Sequence, residues 1–566
     1  MKNRVLFLLF LILLLASSLR IYGLSRSDTL SDEVLYGFRA VAMLDFDEAA
    51  DQTTPLEWFD PNIPFWTHLS FHDHPPLVFL IQHASISIFG ESNFGMRFPS
   101  ALFGVASIYF LYLIGSLLYS RRVGLLASAL LSVTISHVFI SRAGLQESFV
   151  IFFLLVTIYF LLKALRKENY FILAGIFFGL GLLTKYNTFI LAPIFLTYLL
   201  ICRRDLIINK KLLVGALLSL LIFSPVIIYN IKLYQARGHF DFQLSYVLNQ
   251  PHPEWQIEPG KEIGSLGDRI KNYLPELFTA NSWLFVSLFF AALISFIWSL
   301  FQKPKETLSR HSFLMIAMTF LALLMLVIGP STRFLSMITP FFALTISVFL
   351  YNLYQISASW RIIGREKIAL SLLSLVLIFE IVYSINTQIL YYPKGSRFWT
   401  WSEVRFDNYN WGYNNLADYL ARELAGKMPE FAFDQKYKFI ENIHGAALKV
   451  AAGQKLEPYP ALIVYDSNMQ TAAQLWVLDR LQIYHAWPVI KTETYLSILK
   501  ENGLDYFTRQ GFKYFYFIRP TDNVTQKRDH LTDTGKYFEE NLKAGGKTPI
   551  VVRNLRGDEA FHVYKY

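Results

Sequence analysis

The stretch KNRVLFLLFLILLLASSLRIYGLSRSDTLSDE, residues 2–33, decides the class of fold. It opens on basic residues, continues as an apolar run from Val5 to Leu24, and ends on the acidic pair Asp32-Glu33. About twenty apolar residues are enough to cross a bilayer as one helix. Carboxylates beside hydrocarbon must be solvated or paired, so they are costly to place there without a use. The stretch therefore predicts a membrane-spanning first helix with a candidate site at its outer end.

Composition separates the chain into two parts. Hydrophobic residues make up 54% of the 566 residues and charged residues 17%, whereas soluble proteins are about a quarter charged. The apolar character ends near Gln388, so we predict a transmembrane domain at residues 1–390 and a soluble domain at residues 391–566. The net charge of +9 lies mostly in short loops between apolar runs, which is typical of topology signals and argues against nucleic acid as a partner.

The apolar runs predict a mostly α fold, a polytopic helical membrane bundle of about 11 spans. The runs lie at residues 4–24, 98–118, 124–140, 148–166, 170–185, 187–201, 212–230, 279–301, 312–329, 334–353 and 367–388. A further apolar segment, Leu77 to Phe89, is shorter and follows two prolines.

Positive charge sets the predicted orientation. Lysines and arginines cluster in loops that all fall on the N-terminal, cytoplasmic side only if residues 77–89 do not cross the membrane. We therefore expect residues 77–89 to form an amphipathic helix at the interface. Two external loops follow, at residues 25–97 and 231–278. The protein is predicted to be a multi-pass protein of the cell membrane with its C-terminal domain extracytoplasmic.

The C-terminal domain is predicted to be α/β. Residues 461–465 and 512–518 are typical of buried strands, with a helix at 472–482 between them. Residues 548–553 and 561–565 predict a closing hairpin. The domain contains neither a nucleotide-binding glycine motif nor a nucleophile-elbow motif, so its sequence gives little support to a catalytic role of its own.

The predicted topology places one set of charged side chains on the outer side. The set is Asp32, Glu33, His74, Arg97, Arg142, Glu147, Lys185 and Arg333. A carboxylate such as Asp32 can take a proton from an attacking hydroxyl, and the cations can stabilise a phosphate. Two simpler roles stay open: Arg97 or Lys185 as an interface anchor, and Arg142 with Glu147 as a local ion pair.

Several of these residues lie in short motifs whose order is informative. The motifs are Asp32-Glu33, His74-Pro75-Pro76-Leu77, Met96-Arg97-Phe98-Pro99-Ser100, Ser141-Arg142 with Glu147, Thr184-Lys185 and Thr332-Arg333-Phe334. Over about residues 1–390 they resemble the dolichyl-phosphate-mannose protein mannosyltransferases and their bacterial relatives, which include aminoarabinose transferases acting on lipid A. The resemblance implies the C-type membrane glycosyltransferase fold and an enzyme whose donor is a polyprenyl-phosphate sugar on the outer face.

The resemblance also implies roles for the charged set. Asp32 matches the general base that deprotonates the acceptor, and Glu33 assists. Attack with inversion displaces the lipid phosphate, which leaves without the second carboxylic acid that glycoside hydrolases need. The positions matching the donor-phosphate ligands are Arg97, Arg333 and, as a third, Lys185. The supporting positions are His74, Arg142 and Glu147, the last lying where many relatives have an aspartate.

Other properties stay open at the level of sequence. His72-Asp73-His74 offers common metal-ligand types, but the resemblance explains His74 without a metal. We therefore expect no required cofactor, and binding of a divalent metal stays open. The acceptor is unknown as well: a protein, lipid A or an envelope glycan fits. Two other function classes compete, namely a transporter or lipid-linked sugar flippase, and a non-catalytic assembly or sensor protein. Charges at the outer ends, and no visible internal repeat, favour the transferase.

Overall fold

The structure, a computed structural model, describes most of the chain. The described residues are 2–29, 32–46, 55–56, 62–250, 264–357, 365–390, 397–400, 411–435, 437–469, 471–524 and 532–566. The chain divides into two compact units. The membrane unit comprises Met1–Leu24, Asp47–Pro55 and Pro64–Asn408. The C-terminal unit comprises Ser25–Phe46, Leu56–Ile63 and Tyr409–Tyr566.

The described part of the membrane unit is helical. Its α-helices are Lys2–Ile21, Leu77–Phe89, Asn93–Leu118, Arg121–Val133, Ile135–Arg142, Glu147–Ala164, Tyr170–Leu182, Leu191–Cys202, Lys210–Arg237, Phe242–Val247, Leu266–Ala280, Trp283–Gln302, Pro304–Ile328, Thr332–Leu335, Thr339–Ser357, Arg365–Ser384 and Arg397–Thr400. Short 3₁₀ or π turns lie at Phe65–Leu69, Tyr186–Ile190, Arg204–Leu206 and Ile385–Ile389. The predicted helical membrane bundle is confirmed.

The span count differs from the prediction of about 11. Among the described residues, 7 helices are long and apolar enough to cross a membrane, or up to 8 if the pair Arg121–Val133 and Ile135–Arg142, bent by 60°, counts as one. The apolar run at 170–185 forms only the helix Tyr170–Leu182, about 20 Å long at 1.5 Å per residue. A hydrocarbon core of about 30 Å needs a longer helix. A count of eleven is therefore not confirmed.

Two arginines stabilise helix ends within this bundle. The guanidinium of Arg20 donates to the carbonyls of residues 131 and 132, just before the break between the bent helices. Reciprocally, the Arg142 guanidinium donates to the carbonyls of residues 19, 20, 22 and 23, where the first helix ends. Carbonyls at a helix end have no intrahelical partner, and in an apolar environment leaving them unsatisfied costs several kcal/mol. Arg142 thus anchors the end of the first helix.

The C-terminal unit contains seven strands in its described part. They are β1 Lys427–Pro429, β2 Glu457–Tyr459, β3 Ala461–Tyr465, β4 Val489–Lys491, β5 Tyr514–Pro520, β6 Ile550–Arg553 and β7 Glu559–Lys565. β1 and β2 form a parallel pair, and the others form a mixed sheet in the order β4-β3-β5-β7-β6. β3 is parallel to β4 and β5, whereas β7 is antiparallel to β5 and β6.

Helices pack around this sheet. They are Asp32–Ala42, Tyr413–Glu423, Lys438–Gly453, Thr471–Gln474, Arg480–His485, Thr492–Asn502, Tyr506–Arg509 and Thr534–Ala544, with a π turn at Leu475–Asp479. The predicted strand at 461–465 and the closing hairpin are both present. The predicted strand at 512–518 begins two residues later, at Tyr514, because Phe512 still packs with the helical side chains before it.

Residues 25–46 are grouped differently from the prediction, which assigned them to a domain at 1–390. The helix Asp32–Ala42 presents Val34 and Phe38 to a buried cluster that includes Phe439, Trp476 and Tyr484. Both Val34 and Phe38 are fully buried there. The segment that begins with the acidic pair therefore belongs to the same compact unit as residues 409–566.

Candidate active site

Three of the predicted site residues meet in the membrane unit. One carboxylate oxygen of Glu147, Oε1, accepts from Lys185 Nζ at 2.7 Å and from Arg333 Nε at 2.7 Å. Glu147 is wholly buried, and the two cations are only slightly exposed. Glu147 therefore pairs with cations distant in sequence, while the guanidinium of Arg142 donates to the end of the first helix. We call Glu147, Lys185 and Arg333 the cationic cluster.

Local structure presents each member of the cationic cluster at the end of an element. Glu147 is the first residue of the helix Glu147–Ala164. Lys185 follows the helix Tyr170–Leu182 in extended conformation. Arg333 lies in a short helix that starts after Gly329, whose φ of +84° suits glycine. Phe334 completes the cluster, with Lys185 Nζ 5.0 Å from its ring centroid and the Arg333 guanidinium carbon at 5.6 Å.

The second oxygen of Glu147 distinguishes this cluster from an ordinary ion-pair network. Oε2 is buried and accepts no hydrogen bond from the described residues. A buried carboxylate oxygen without a donor is unfavourable, and most such atoms in folded proteins are satisfied. With one carboxylate and two cations the cluster carries a net charge of +1. It offers a ligand both positive charge and one acceptor for a hydroxyl group.

The His74 motif is tied to the Lys185 segment. The backbone N–H of Leu77 donates to the carbonyl of Leu183, two residues before Lys185. His74 Nδ1 lies 3.0 Å from a carboxylate oxygen of Asp73. The carbonyl of His72 accepts from the backbone N–H of Phe242, which joins this turn to the second predicted external loop. Metal binding by these side chains stays open, as in the sequence analysis.

Arg97 has an anchoring contact, and its predicted role as a phosphate ligand remains a prediction. It is buried in the helix Asn93–Leu118, and its Nη1 donates to the carbonyl of Leu24 at 3.0 Å. This guanidinium therefore fixes the chain that leads from the first helix toward the acidic pair. Lys185 and Arg333, by comparison, share one carboxylate.

The acidic pair lies in the C-terminal unit. Asp32 is the first residue of the helix Asp32–Ala42 and is partly exposed, while Glu33 is buried. Carboxylates in the first turn interact favourably with the helix dipole. Ser31, which precedes the pair, lies outside the described residues. The roles predicted for Asp32 and Glu33 remain predictions.

Sequence reasoning missed Asp241, a buried residue that organises the region beside Lys185. Its carboxylate accepts from the hydroxyl of Tyr186, the neighbour of Lys185, and from Asn230 Nδ2 at 2.9 Å. Burial raises the pKa of Asp241, against the effect of those hydrogen bonds. Asp241 also accepts from the backbone N–H of Leu244 and so caps the helix Phe242–Val247. An aspartate directly before an apolar run is an N-cap signal that could have identified it.

The fold and part of the sequence resemble those of known proteins. The chain has the C-type fold of the membrane glycosyltransferases, and the resemblance predicted from its motifs is confirmed. Residues 73–229 match the family dolichyl-phosphate-mannose-protein mannosyltransferase. That match includes His74, Arg97, Arg142, Glu147 and Lys185, and it lies outside Asp32, Glu33 and Arg333.

Particular relatives support the same class. The chain is 30% identical over 174 residues to a Bacillus subtilis (strain 168) protein named "Putative mannosyltransferase YkcB", a match that covers 29% of this chain and 22% of that protein. Among solved structures, ArnT from Cupriavidus metallidurans bound to undecaprenyl phosphate is similar with a TM-score of 0.54 and 13% identity, covering 100% of this chain and 98% of that one.

A second solved structure comes from an archaeon. The oligosaccharyltransferase AglB from Archaeoglobus fulgidus, in complex with an inhibitory peptide and a dolichol-phosphate, is similar with a TM-score of 0.50 and 13% identity. The alignment covers 92% of this chain and 69% of AglB. At this level of identity the two structures define the fold of the chain.

Proposed function

We propose that this protein is an integral-membrane glycosyltransferase of the cell membrane. Its donor is a sugar linked to polyprenyl phosphate, and its acceptor is a hydroxyl group presented on the outer face. The family match over residues 73–229 supports the reaction class. The undecaprenyl phosphate bound to ArnT and the dolichol-phosphate in complex with AglB support this type of donor. The observation that carries the proposal is the convergence of Lys185 and Arg333 on Glu147.

The cationic cluster suits the phosphate of such a donor. Lys185 and Arg333 supply charge-assisted donors, which bind phosphate oxygens strongly. Glu147 neutralises one of the two positive charges and holds both side chains in place before the donor arrives. Such preorganisation stabilises the negative charge that develops on the phosphate as the bond to the sugar breaks. The free oxygen of Glu147 is available to a hydroxyl group of the donor.

The reaction assigned to the acidic pair follows from the resemblance. Asp32 takes the proton from the acceptor hydroxyl while the hydroxyl oxygen forms a bond to the anomeric carbon. The bond from that carbon to the phosphate oxygen breaks, and the electron pair leaves on the lipid phosphate. Configuration inverts because attack and departure occur on opposite sides. Glu33, buried in the same helical turn, assists in holding Asp32.

Purified protein in liposomes that contain a polyprenyl-phosphate sugar provides the test. Lys185→Ala and Arg333→Ala should each raise the KM for the lipid donor about tenfold or more, since each removes a charge-assisted contact of about 1.5–3 kcal/mol. Lys167→Ala and Arg121→Ala are matched controls, because both side chains are exposed. Donor KM values that stay at the control level in both cluster variants would remove the phosphate assignment.

A further inference from the structure

Asp28 connects the segment before the acidic pair to the start of another helix. Its carboxylate accepts backbone N–H groups from Trp411 at 2.6 Å, Gly412 at 3.2 Å, Tyr413 at 3.4 Å and Asn414 at 2.8 Å. Asp28 is completely buried and lies four residues before Asp32. Four donors on one side chain, contributed by residues almost four hundred positions away, make a specific attachment.

The backbone at 411–414 is built to receive a carboxylate. Gly412 has φ +104°, and a Cβ atom there would lie 2.5 Å from the Cβ of Ala560, so both conformation and space require glycine. The following helix, Tyr413–Glu423, directs its N-terminal N–H groups and the positive end of its dipole toward Asp28. Burial raises the pKa of Asp28 to about 6, opposed by these hydrogen bonds, so the carboxylate is ionised at neutral pH.

A second attachment holds the helix Asp32–Ala42 itself. The hydroxyl of Tyr484 donates to the carbonyl of Phe38 at 2.7 Å, and the two rings lie 4.7 Å apart. At the end of the same helix, buried Arg39 donates from Nε to the carbonyl of Phe46 at 2.8 Å. The acidic pair therefore begins a helix that is fixed before its start by Asp28 and along its length by Tyr484.

We propose that Asp28 is a positioning residue, and that the backbone of residues 411–414 and the hydroxyl of Tyr484 hold the helix that presents Asp32 and Glu33. This inference rests on the proposed function, in which Asp32 is the base. It gives the C-terminal part of the chain a role in the rate of the chemical step. A group that positions a base acts on kcat, since displacement of a reacting group by about 1 Å can lower the rate about a hundredfold.

The experiment compares Asp28→Asn with Asp418→Asn, an Asp-to-Asn change at an exposed position on the helix that receives Asp28. Rates are measured in liposomes with the polyprenyl-phosphate sugar and expressed per folded, monodisperse protein. Asp28→Asn should lower kcat about ten- to a hundredfold and leave the donor KM within about twofold. The control should match the wild type. A wild-type kcat per folded protein in Asp28→Asn would overturn the proposal, even if total activity fell because less of the variant is folded.

A milder variant keeps the test decisive if Asp28→Asn does not fold. Tyr484→Phe retains the ring packed on Phe38 and removes the hydroxyl that donates to its carbonyl. We expect kcat to fall about two- to fivefold with donor KM unchanged, since one hydrogen bond contributes about 1 kcal/mol. An unchanged kcat in this variant, with Asp28→Asn unfolded, would also overturn the proposal.

Asp32→Asn in the same assay separates the two claims. If Asp32→Asn is inactive while Asp28→Asn and Tyr484→Phe keep wild-type kcat, the positioning role fails and the proposed function stands. If Asp32→Asn is as active as the wild type, the base assignment fails, and the positioning role fails with it.

Discussion

Two buried glutamates, one in each unit, differ in how completely they are satisfied. In the C-terminal unit, Glu539 uses both oxygens: Oε1 accepts from His562 at 2.6 Å and Tyr564 at 2.7 Å, and Oε2 accepts from Arg519 at 2.5 Å. In the membrane unit, Glu147 receives both cations on one oxygen, and the other accepts nothing from the described residues. A fully satisfied network rigidifies a core, whereas a partly satisfied one is unfavourable unless it has a use.

The two glutamates illustrate how a structural charge cluster can differ from one that is available to a ligand. Both glutamates are buried and both face positive charge, so neither burial nor charge distinguishes them. The two differ in the hydrogen bonds that their individual oxygens accept. Glu539 joins strands β5 and β7 to the helix Thr534–Ala544, and each of its carboxylate oxygens accepts at least one hydrogen bond from the protein. Glu147 holds two cations and keeps one oxygen available.

Among the changes that test this comparison, the largest effect is expected from Glu147→Gln. Loss of the charge leaves Lys185 and Arg333 close together without their shared anion, and removing one partner of a buried pair costs about 3–5 kcal/mol. We expect kcat/KM for the lipid donor to fall about a hundredfold or more per folded protein, because the two cations lose the anion that holds them in place and a displacement of about 1 Å can cost about a hundredfold. The readout is sugar transfer in liposomes.

Glu539→Gln is the matched control, because it makes the same chemical change at the satisfied site. It should lower the stability of the C-terminal unit and leave transfer per folded protein within about twofold. Equal losses of kcat/KM in the two variants would show that hydrogen-bond completeness does not separate the two sites.

We expect an effect of intermediate size on the stability of the C-terminal unit when the pH is lowered. Burial alone would raise the pKa of Glu539, but hydrogen bonds from Tyr564 and His562 and the charge of Arg519 outweigh it and lower the pKa from 4.5 to about 2. Because the folded-state pKa lies below the unfolded value, the stabilisation is fully present above about pH 4.5 and is lost as pH falls toward about 2. It amounts to up to about 3 kcal/mol.

Denaturant midpoints of the full chain in detergent measure this dependence. A fluorescent label at Lys536→Cys, in a Cys202→Ser background, reports on the C-terminal unit, since Cys202 is the only cysteine and Lys536 is exposed. The midpoint should fall between pH 4.5 and 3 in the wild type and change less in Glu539→Gln. Identical pH dependence in both would contradict the assignment of the acid sensitivity to Glu539.

The smallest effect is expected from Arg97→Lys. Its guanidinium donates to the Leu24 carbonyl, and a lysine retains the charge and one donor. We predict a change of about two- to fivefold in kcat and little change in donor KM, measured beside Arg333→Lys. If Arg97→Lys raised the donor KM as much as Arg333→Lys does, the result would support the predicted contact between Arg97 and the donor phosphate.

The sequence predicted the parts of this structure that depend on local patterns. Apolar runs predicted the helical bundle, and alternation and turn signals predicted β3 and the hairpin of β6 and β7, because these elements are specified by neighbouring residues. The sequence left Arg142 open as a partner of Glu147, whereas the cations that contact Glu147 lie 38 and 186 residues away. Contacts at such separations follow from packing, which no local pattern records.

The span count and the position of residues 25–46 differed for related reasons. An apolar run gives the length of a hydrophobic segment and not the point at which its helix breaks, as the 60° bend between residues 133 and 135 illustrates. Residues 25–46 follow the first helix directly, so sequence proximity favoured the membrane domain. Their amphipathic helix instead buries Val34 and Phe38 against side chains from residues 439–484.

The most direct test of the central claim is sugar transfer by Asp32→Asn. The purified variant and wild type are reconstituted with a polyprenyl-phosphate sugar and a hydroxyl-bearing acceptor fraction from host membranes, and release of polyprenyl phosphate is measured with product formation. We expect the wild type to release polyprenyl phosphate only when acceptor is present. The rate of transfer should fall about a thousandfold or more in Asp32→Asn, since a general base contributes about 10²–10⁴-fold and the asparagine amide cannot accept the proton. Transfer at the wild-type rate by folded Asp32→Asn would contradict this expectation.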